Sequence, residues 1–312
     1  MRKRPLGETT LQVSELGLGT WGLSGDAYGM VVPEDQDQVI ERALALGITL
    51  FETADSYGRG EMEKRLGERL AGQADLVIVT KVGTDRESRP PRKRFDAEFL
   101  KTAVERSRER LKREVIEVVL LHNPSLKAVE APGIEALFEL KERQQIRAWG
   151  VSAGSLEIAK AAIKRGADVL ELAHNCFHQR ELAGLTDELQ TKKTGILARS
   201  VLAHGLLSGQ WPTTKQFPRG DHRRDRWTPD ELKKRIGQLN AVRPAVGGTI
   251  SSVRAAALRF VLANPAVSST VLGPRNAIQL DQLVREAGTE PYFAPEALAA
   301  LELRLSNVGI QK

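Results

Sequence analysis

Short apolar runs alternate with amphipathic stretches along almost the whole chain. Eight of these runs are rich in β-branched residues and predict strands at 16–20, 48–54, 76–82, 115–122, 146–152, 168–174, 195–200 and 269–273. Their nearly continuous apolar character indicates burial on both faces, as in a parallel sheet that is covered by helices.

The stretches between the strands have the periodicity and boundary signals of helices. The first helix is predicted to begin at Pro33, which two acidic residues follow, and to stop at Gly47. Further helices are predicted at 60–71, 95–112, 132–144, 155–165, 181–192, 229–240, 250–263, 276–286 and 294–306. This eightfold alternation predicts an α/β protein and favours a closed (β/α)8 TIM barrel over an open doubly wound sheet.

Two segments interrupt the alternation. Residues 4–15 (RPLGETTLQVSE) predict an N-terminal β-hairpin, with its turn at Gly7-Glu8, that plugs the bottom of the barrel. Residues 205–249 form a long loop between strands seven and eight, at the face where barrel enzymes build their active sites. No linker or low-complexity tract is present, so residues 1–312 are predicted to form a single domain.

Composition adds an expected location. The only cysteine, Cys176, excludes an intrachain disulfide and a metal site built from cysteines. No apolar stretch has the length of a membrane span, and the N-terminus lacks the apolar region of a secretory signal. A cytoplasmic protein without a membrane partner is therefore expected. His174 and His178 straddle a strand end rather than share a helix face, so no metal site is predicted.

The formal net charge is +6, and three basic runs stand out, at 89–94, 106–113 and 222–226. Nucleic acid is one partner that such charge allows, and strongly salt-dependent binding would reveal it. The second run includes Glu109, however, and no known nucleic-acid-binding motif is present. We therefore expect no nucleic-acid partner, and a small molecule that bears phosphate fits the charge better.

Several short motifs fall at the predicted strand ends. They are 51–58 (FETADSYG), 80–83 (TKVG), 120–124 (LLHNP), 150–152 (GVS), 205–209 (GLLSG) and 273–276 (GPRN) with Gln279. In this order they resemble the aldo-keto reductase family, and in particular the long-loop bacterial members that are similar to its potassium-channel β-subunit-like branch. The resemblance extends from about residue 4 to residue 305. It implies a TIM barrel and the reduction of a carbonyl by NADPH.

The resemblance identifies Tyr57, Lys81 and His122 as catalytic residues, and their chemistry suits that role. Hydride transfer to a carbonyl carbon builds negative charge on the oxygen, which then needs a proton donor. Tyr57 supplies a hydroxyl, and a nearby Lys81 ammonium is expected to lower its pKa from about 10. His122 is expected to hydrogen-bond the carbonyl and fix its orientation.

Several positions depart from the family pattern, among them four around the lysine and the nicotinamide. Glu52 aligns with the catalytic aspartate, and we hypothesise that it pairs with Lys81 despite its additional methylene. Ala153 aligns with an asparagine, Glu171 with a glutamine and Arg199 with a tyrosine that stacks on the nicotinamide. Because a small misplacement of reacting groups lowers rates strongly, reduced or altered activity is expected.

The expected cofactor is NADPH. Arg275 precedes a predicted helix and is the candidate ligand of the adenosine 2′-phosphate, which would favour NADPH over NADH. The 220–224 stretch resembles the loop that covers the pyrophosphate in related reductases. The cofactor-binding residues that the resemblance implies are Gly19, Thr20, Trp21, Ser152, Glu171, Arg199, Ser200, Leu202, Gly205, Gly273, Arg275 and Gln279.

The predicted function is NADPH-dependent reduction of an aldehyde or ketone to an alcohol, with Tyr57 as the acid. The alternative is an NADPH-binding redox-sensing or regulatory module with weak or no turnover. The substitutions around the nicotinamide favour that alternative, whereas the intact catalytic residues oppose it. The partner is expected to be a small carbonyl compound, and the sequence makes no prediction of its identity or of the oligomeric state. An apolar substrate pocket is predicted from the aromatic residues Trp21, Tyr28, Trp211 and Trp227.

Overall fold

Eight parallel strands form a closed barrel in the computed structural model, which describes residues 1–312. The strands pair in chain order, and the last one pairs with the first. They are β1 (Leu16–Gly19), β2 (Leu50–Glu52), β3 (Val77–Val82), β4 (Ile116–His122), β5 (Ile146–Ser152), β6 (Val169–Ala173), β7 (Gly195–Arg199) and β8 (Val267–Leu272). The predicted TIM barrel and all eight of its strands are confirmed.

Helices cover the outside of the barrel. They are α1 (Pro33–Ala45), α2 (Glu61–Arg69), α3 (Ala97–Leu111), α4 (Leu126–Glu130), α5 (Glu135–Glu142), α6 (Leu156–Lys164), α7 (Arg180–Ala183), α8 (Thr186–Thr191), α9 (Pro229–Gln238), α10 (Val253–Leu262), α11 (Ala277–Ala287) and α12 (Pro295–Asn307). No helix has both the length and the apolar composition of a membrane span.

The helix predicted over 181–192 is the main difference. The structure has two short helices there, α7 and α8, separated at Gly184 and Leu185. A Cβ on Gly184 would lie 2.6 Å from Leu156, so the glycine allows the chain to pack closely against α6. Tertiary packing, which local periodicity does not report, interrupts the helix at this point.

The N-terminal hairpin closes one end of the barrel, as predicted. Its strands, Lys3–Pro5 and Gln12–Ser14, are antiparallel. Leu6, Leu11 and Val13 are buried against apolar side chains from the barrel interior. The turn depends on Gly7, which has a φ of 62° and whose Cβ would lie 2.4 Å from backbone atoms of the segment that enters β7. The opposite, carboxyl end of the strands is the end left for a site.

We expect that a side chain at residue 7 would disturb the packing of this hairpin against the barrel. We expect Gly7→Ala to lower the free energy of unfolding by about 3 kcal/mol, because backbone strain at positive φ adds to overpacking against backbone atoms. Gly72 is the matched control, since it has a φ of 76° but no atom lies within 4 Å of the place that its Cβ would take. Gly72→Ala should cost only about 1 kcal/mol. Equal losses for the two variants in urea denaturation would contradict this account of the plug.

Candidate active site

Three neighbouring strands deliver polar side chains to the open end of the barrel. Glu52 is the last residue of β2, Lys81 lies near the end of β3, and His122 ends β4. Tyr57 follows β2 in a short 3-10 turn over Tyr57–Gly60. Because these strands are parallel and adjacent, residues far apart in the sequence converge at one place.

Lys81 lies at the centre of this group. Its side chain is only 2% exposed, and its Nζ contacts Oε1 of Glu52 directly. The same Nζ lies 3.5 Å from Oε1 of Glu171 and donates a hydrogen bond of 3.0 Å to the hydroxyl oxygen of Tyr57. Two buried carboxylates therefore flank one buried ammonium, and the charge of Lys81 does not lie alone in the barrel interior.

The additional methylene of Glu52 is accommodated by Gly19. The two residues are register partners in β1 and β2, and a Cβ on Gly19 would lie 2.9 Å from Oε2 of Glu52. The carboxylate thus occupies space that any side chain at residue 19 would fill. Its Oε1 also accepts a hydrogen bond of 3.4 Å from the hydroxyl of Tyr57. Glu52 consequently contacts both the tyrosine and the lysine.

The pKa of Tyr57 differs from the sequence-based expectation. Burial raises this pKa well above its ordinary value, Glu171 raises it further, and Arg199 opposes the shift. The expected lowering by Lys81 is not found, because the effect of burial is larger. Burial also lowers the pKa of Lys81 to about 8, against the opposing effect of Glu171. At neutral pH Tyr57 is therefore a protonated hydroxyl beside an ammonium.

His122 is a neutral imidazole at the same site. Burial lowers its pKa well below the ordinary value, and the nearby cations lower it further. Its Nδ1 lies 3.3 Å from Oγ of Ser56, and its ring packs edge-on to Tyr57 at 6.0 Å between centroids. With Nδ1 facing the serine, Nε2 is the ring nitrogen left for a ligand in the cavity.

A cavity of about 890 Å³ surrounds these residues, which is the size of a small-molecule site. Thr20 alone among the predicted residues is not part of its lining: its N–H donates to the Glu52 carbonyl at 2.9 Å, and its side chain is buried. The predicted residues that line the cavity are Glu52, Tyr57, Lys81, His122, Gly19, Trp21, Ser152, Glu171, Arg199, Ser200, Leu202, Gly205, Gly273, Arg275 and Gln279.

The prediction of an apolar pocket holds only in part, because Trp21, Tyr28 and Trp211 line the cavity beside many polar residues. Only nine of the 34 lining residues are hydrophobic, and Trp227 lies behind Trp211 rather than in the lining. The sequence-based interpretation counted aromatic residues in the loops, whereas charged residues from the same loops line the cavity beside them. The lining residues that it missed include Ser56, Arg86, His204, Arg226 and Arg254. All of them follow a strand or lie in the segment after β7. Their position after a strand is the feature of the sequence from which they could have been predicted.

The long loop after β7 crosses the open end of the barrel. The N–H of His222 donates to the carbonyl of Ala27, in the loop after β1, at 2.9 Å. Its imidazole packs on Trp21 and Tyr28, with ring centroids 4.7 and 4.9 Å away. The loops that follow β7 and β1 therefore contact each other at the open end of the barrel.

The residues around Glu171 fit a nicotinamide carboxamide. Ser152 Oγ donates to Glu171 Oε2 at 2.5 Å, and Arg199 Nε lies 3.9 Å from the same oxygen. A carboxamide presents two N–H donors and an acceptor oxygen. Glu171 supplies acceptors and Arg199 supplies donors, so the set matches the group although asparagine and glutamine are absent.

Arg275, at the rim of the cavity, is suited to bind a phosphate group. Arg275 donates through Nη2 to the carbonyls of Gly29 and Met30 at 3.1 and 2.8 Å. Its buried Nε has no partner within the protein. The residue precedes α11, whose first turn is capped by Asn276 accepting from the Gln279 N–H. A fixed guanidinium with a free donor, close to a helix N-terminus, is suited to an anion.

Comparison with known proteins agrees with this arrangement. The profile of the Aldo/keto reductase family matches residues 15–293. The chain therefore belongs to the aldo-keto reductase family, whose members are oxidoreductases that use nicotinamide cofactors.

Two curated relatives match nearly the whole chain. An L-galactose dehydrogenase from Arabidopsis thaliana is 29% identical over 295 residues, which cover 90% of this chain and 86% of the relative. An uncharacterized oxidoreductase, YqkF, from Bacillus subtilis is 27% identical over 305 residues, covering 97% and 96%.

Solved structures share the fold. A glycerol dehydrogenase from Gluconobacter oxydans superposes with a TM-score of 0.85 at 24% identity, over 99% of this chain and 97% of that one. The holo form of an aldo-keto reductase from Bacillus halodurans gives a TM-score of 0.81 at 24% identity, over 97% and 96%. Both are similar to this chain in their barrel architecture.

The two carboxylates around Lys81 generate a prediction for Glu52. Removing its charge in Glu52→Gln takes away an anion that stabilises the Lys81 ammonium, so the pKa of Lys81 should fall below about 8. The cation that stabilises the Tyr57 oxygen is then lost at lower pH, and the basic limb of the pH profile for carbonyl reduction should move down by about one pH unit. Glu52→Asp keeps the charge and should leave this limb in place. A rate and pH profile unchanged in Glu52→Gln would show that Glu52 does not act on the pair.

Proposed function

We propose that the protein reduces an aldehyde or ketone to an alcohol with NADPH. The observation that carries this proposal is the 3.0 Å hydrogen bond between Lys81 and the hydroxyl of Tyr57, inside a cavity that His122 also lines. The reduction of a carbonyl requires a proton donor and a cation that stabilises the anion left after proton transfer. It also requires a neutral group that hydrogen-bonds the carbonyl oxygen.

Each side chain has a separate task in this mechanism. Ser152 and Glu171 would hold the nicotinamide, which would supply the hydride. His122 hydrogen-bonds the carbonyl oxygen through Nε2 and directs it toward Tyr57. As negative charge grows on that oxygen, the Tyr57 hydroxyl donates its proton, and Lys81 stabilises the tyrosinate that remains. Glu52 positions the lysine and balances its charge.

The raised pKa of Tyr57 suits this direction of reaction. A hydroxyl with a high pKa stays protonated from neutral to moderately basic pH and so remains a donor for reduction. The alternative function, a binding module with little turnover, has less support, because the structure assembles Tyr57, Lys81 and His122 at one site. The polar lining of the cavity suits a substrate with hydroxyl or charged groups, and the relative from Arabidopsis thaliana is named for a sugar, L-galactose.

The role of Tyr57 is tested by removing only its hydroxyl. We expect Tyr57→Phe to lower the turnover of a panel of aldehydes and ketones by about 100-fold or more, because no other donor adjoins Lys81. NADPH affinity, measured by fluorescence titration, should stay unchanged. Tight NADPH binding without turnover by the wild-type protein would instead favour the binding module. A Tyr57→Phe variant that is as active as the wild type would exclude Tyr57 as the acid.

The preference for NADPH is assigned to Arg275. Replacing its guanidinium in Arg275→Gln should weaken NADPH binding by about tenfold or more, because a charge-assisted hydrogen bond to the 2′-phosphate is lost. NADH, which lacks this phosphate, should bind both forms of the protein equally. Arg285 lies on α11, is exposed and has no ion-pair partner, so Arg285→Gln is the matched control. An equal loss for the two cofactors would place Arg275 outside the 2′-phosphate site.

A further inference from the structure

Two basic segments rise from opposite sides of the cavity mouth. One is the hairpin that continues β3, formed by Thr84–Asp85 and Arg92–Lys93. The other is residues 219–226 of the loop after β7. Strands β3 and β7 lie across the eight-stranded ring from each other. The mouth is therefore positively charged on two sides, and the mechanism proposed above does not use the charge on the β3 side.

Arg86 is the hairpin cation that lines the cavity. Other cations nearby have carboxylate partners: Arg94, for example, lies 3.0 Å from Asp96. No Asp or Glu oxygen lies within 4.0 Å of the Arg86 guanidinium, and the adjacent acid, Glu87, pairs with Arg106 instead. Arg86 is thus an unpaired cation that faces the site.

Arg86 lies on the side of the cavity where His122 would contact the carbonyl of a substrate. Lys93, on the second strand of the hairpin, donates to the carbonyl of His122 at 2.8 Å and so fixes the hairpin beside that residue. The charges of Lys81, Lys93, Arg199 and Arg86 all contribute to the low pKa of His122. Of these four cations, Arg86 and Lys93 have no carboxylate within 4.0 Å. The buried Asp55 is close enough to act on the charges of both Arg86 and Lys93, but it forms no ion pair with either of them. Positive charge without a direct ion-pair partner therefore lies beside the residue that would contact the carbonyl.

The phosphates of the cofactor do not account for this charge. The proposed ligand of the 2′-phosphate, Arg275, follows β8, and the 220–224 stretch that resembles a pyrophosphate loop follows β7. Arg86 follows β3, three strands further around the barrel than β8. The carboxylates in the cavity do not account for it either, because Glu52 and Glu171 contact Lys81. The remaining lining acid, Asp26, accepts a hydrogen bond from the Gly58 N–H at 2.6 Å.

The geometry points to a substrate that carries an anionic group, a carboxylate or a phosphate, which Arg86 binds while Tyr57 and His122 contact the carbonyl oxygen. This inference rests on the proposed function and adds a substrate class to it. An arginine fork matches carboxylate and phosphate oxygens equally well, so the two groups share one recognition chemistry. Arg86 is here a specificity-determining residue, and it takes no part in proton transfer.

The test compares aldehydes that differ in charge at one position. The pairs are para-carboxybenzaldehyde with its methyl ester, and glyceraldehyde phosphate with glyceraldehyde. At low salt, kcat/KM of the wild type should be about tenfold higher for the charged member of at least one pair. Arg86→Gln should remove the preference by raising KM for the charged member, while neutral members keep their rates. The pair that responds distinguishes carboxylate from phosphate.

Arg89→Gln is the matched control, because Arg89 lies on the same hairpin, is exposed and is not part of the cavity lining. It should keep the preference, whereas equal losses in both variants would indicate only long-range attraction of anions and overturn the assignment. A wild type that prefers the neutral members of both pairs would also overturn it.

A binding measurement separates this inference from the proposed function. The protein is titrated in a calorimeter with para-carboxybenzaldehyde and with its ester in the presence of NADP⁺. This measurement needs no turnover. Binding of the acid that depends on Arg86, without reduction of any aldehyde, would support the anion site and contradict the reductase function. Equal binding of acid and ester, or binding of neither, would contradict the anion site even in an active reductase.

Discussion

The buried ion pair between Lys81 and Glu52 constrains the whole site. An ammonium that is 2% exposed is tolerated only where carboxylates compensate its charge, and here Glu52 and Glu171 do so from two sides. These three residues come from β3, β2 and β6, so the contact requires the closed ring of strands rather than any local segment. The hydrogen bond to Tyr57 uses a further donor of the same ammonium. The charge compensation of Lys81 therefore depends on the folding of this end of the barrel.

The departures from the family pattern compensate one another. Glu171 adds a negative charge where the family has glutamine, and Arg199 adds a positive one where it has tyrosine. The two side chains lie 3.9 Å apart on adjacent strands, and Ser152 donates to the same carboxylate. The charge of the buried Glu171 is not suited to its position alone, whereas with Arg199 the net charge of the site stays unchanged. The pair explains how this side of the cavity accommodates two charged substitutions.

The sequence was sufficient for the barrel and for the residues at the strand ends. Strand periodicity fixes the order of β1 to β8, and parallel strands bring their carboxyl ends together, so Lys81 and His122 could be predicted as neighbours from their positions alone. The N-terminal hairpin could be predicted equally well, because Leu6 and Leu11 flank a turn containing glycine. These predictions succeed because each depends on backbone geometry, which local patterns largely determine.

Side-chain reach and loop placement depend on contacts that no local pattern contains. The spacing of Gly17, Gly19 and Gly22 matches the glycine fingerprint of open dinucleotide-binding sheets, yet here Gly17 makes room for Leu50 and Gly19 for Glu52. That a longer carboxylate fits beside Lys81 follows from a neighbouring strand and not from Glu52 itself. The charge of the cavity wall is a stronger case, because Arg86 has no fixed offset from any motif. Catalytic chemistry resides at strand ends, which the fold aligns, whereas substrate selection resides on loops, whose positions only the folded protein determines.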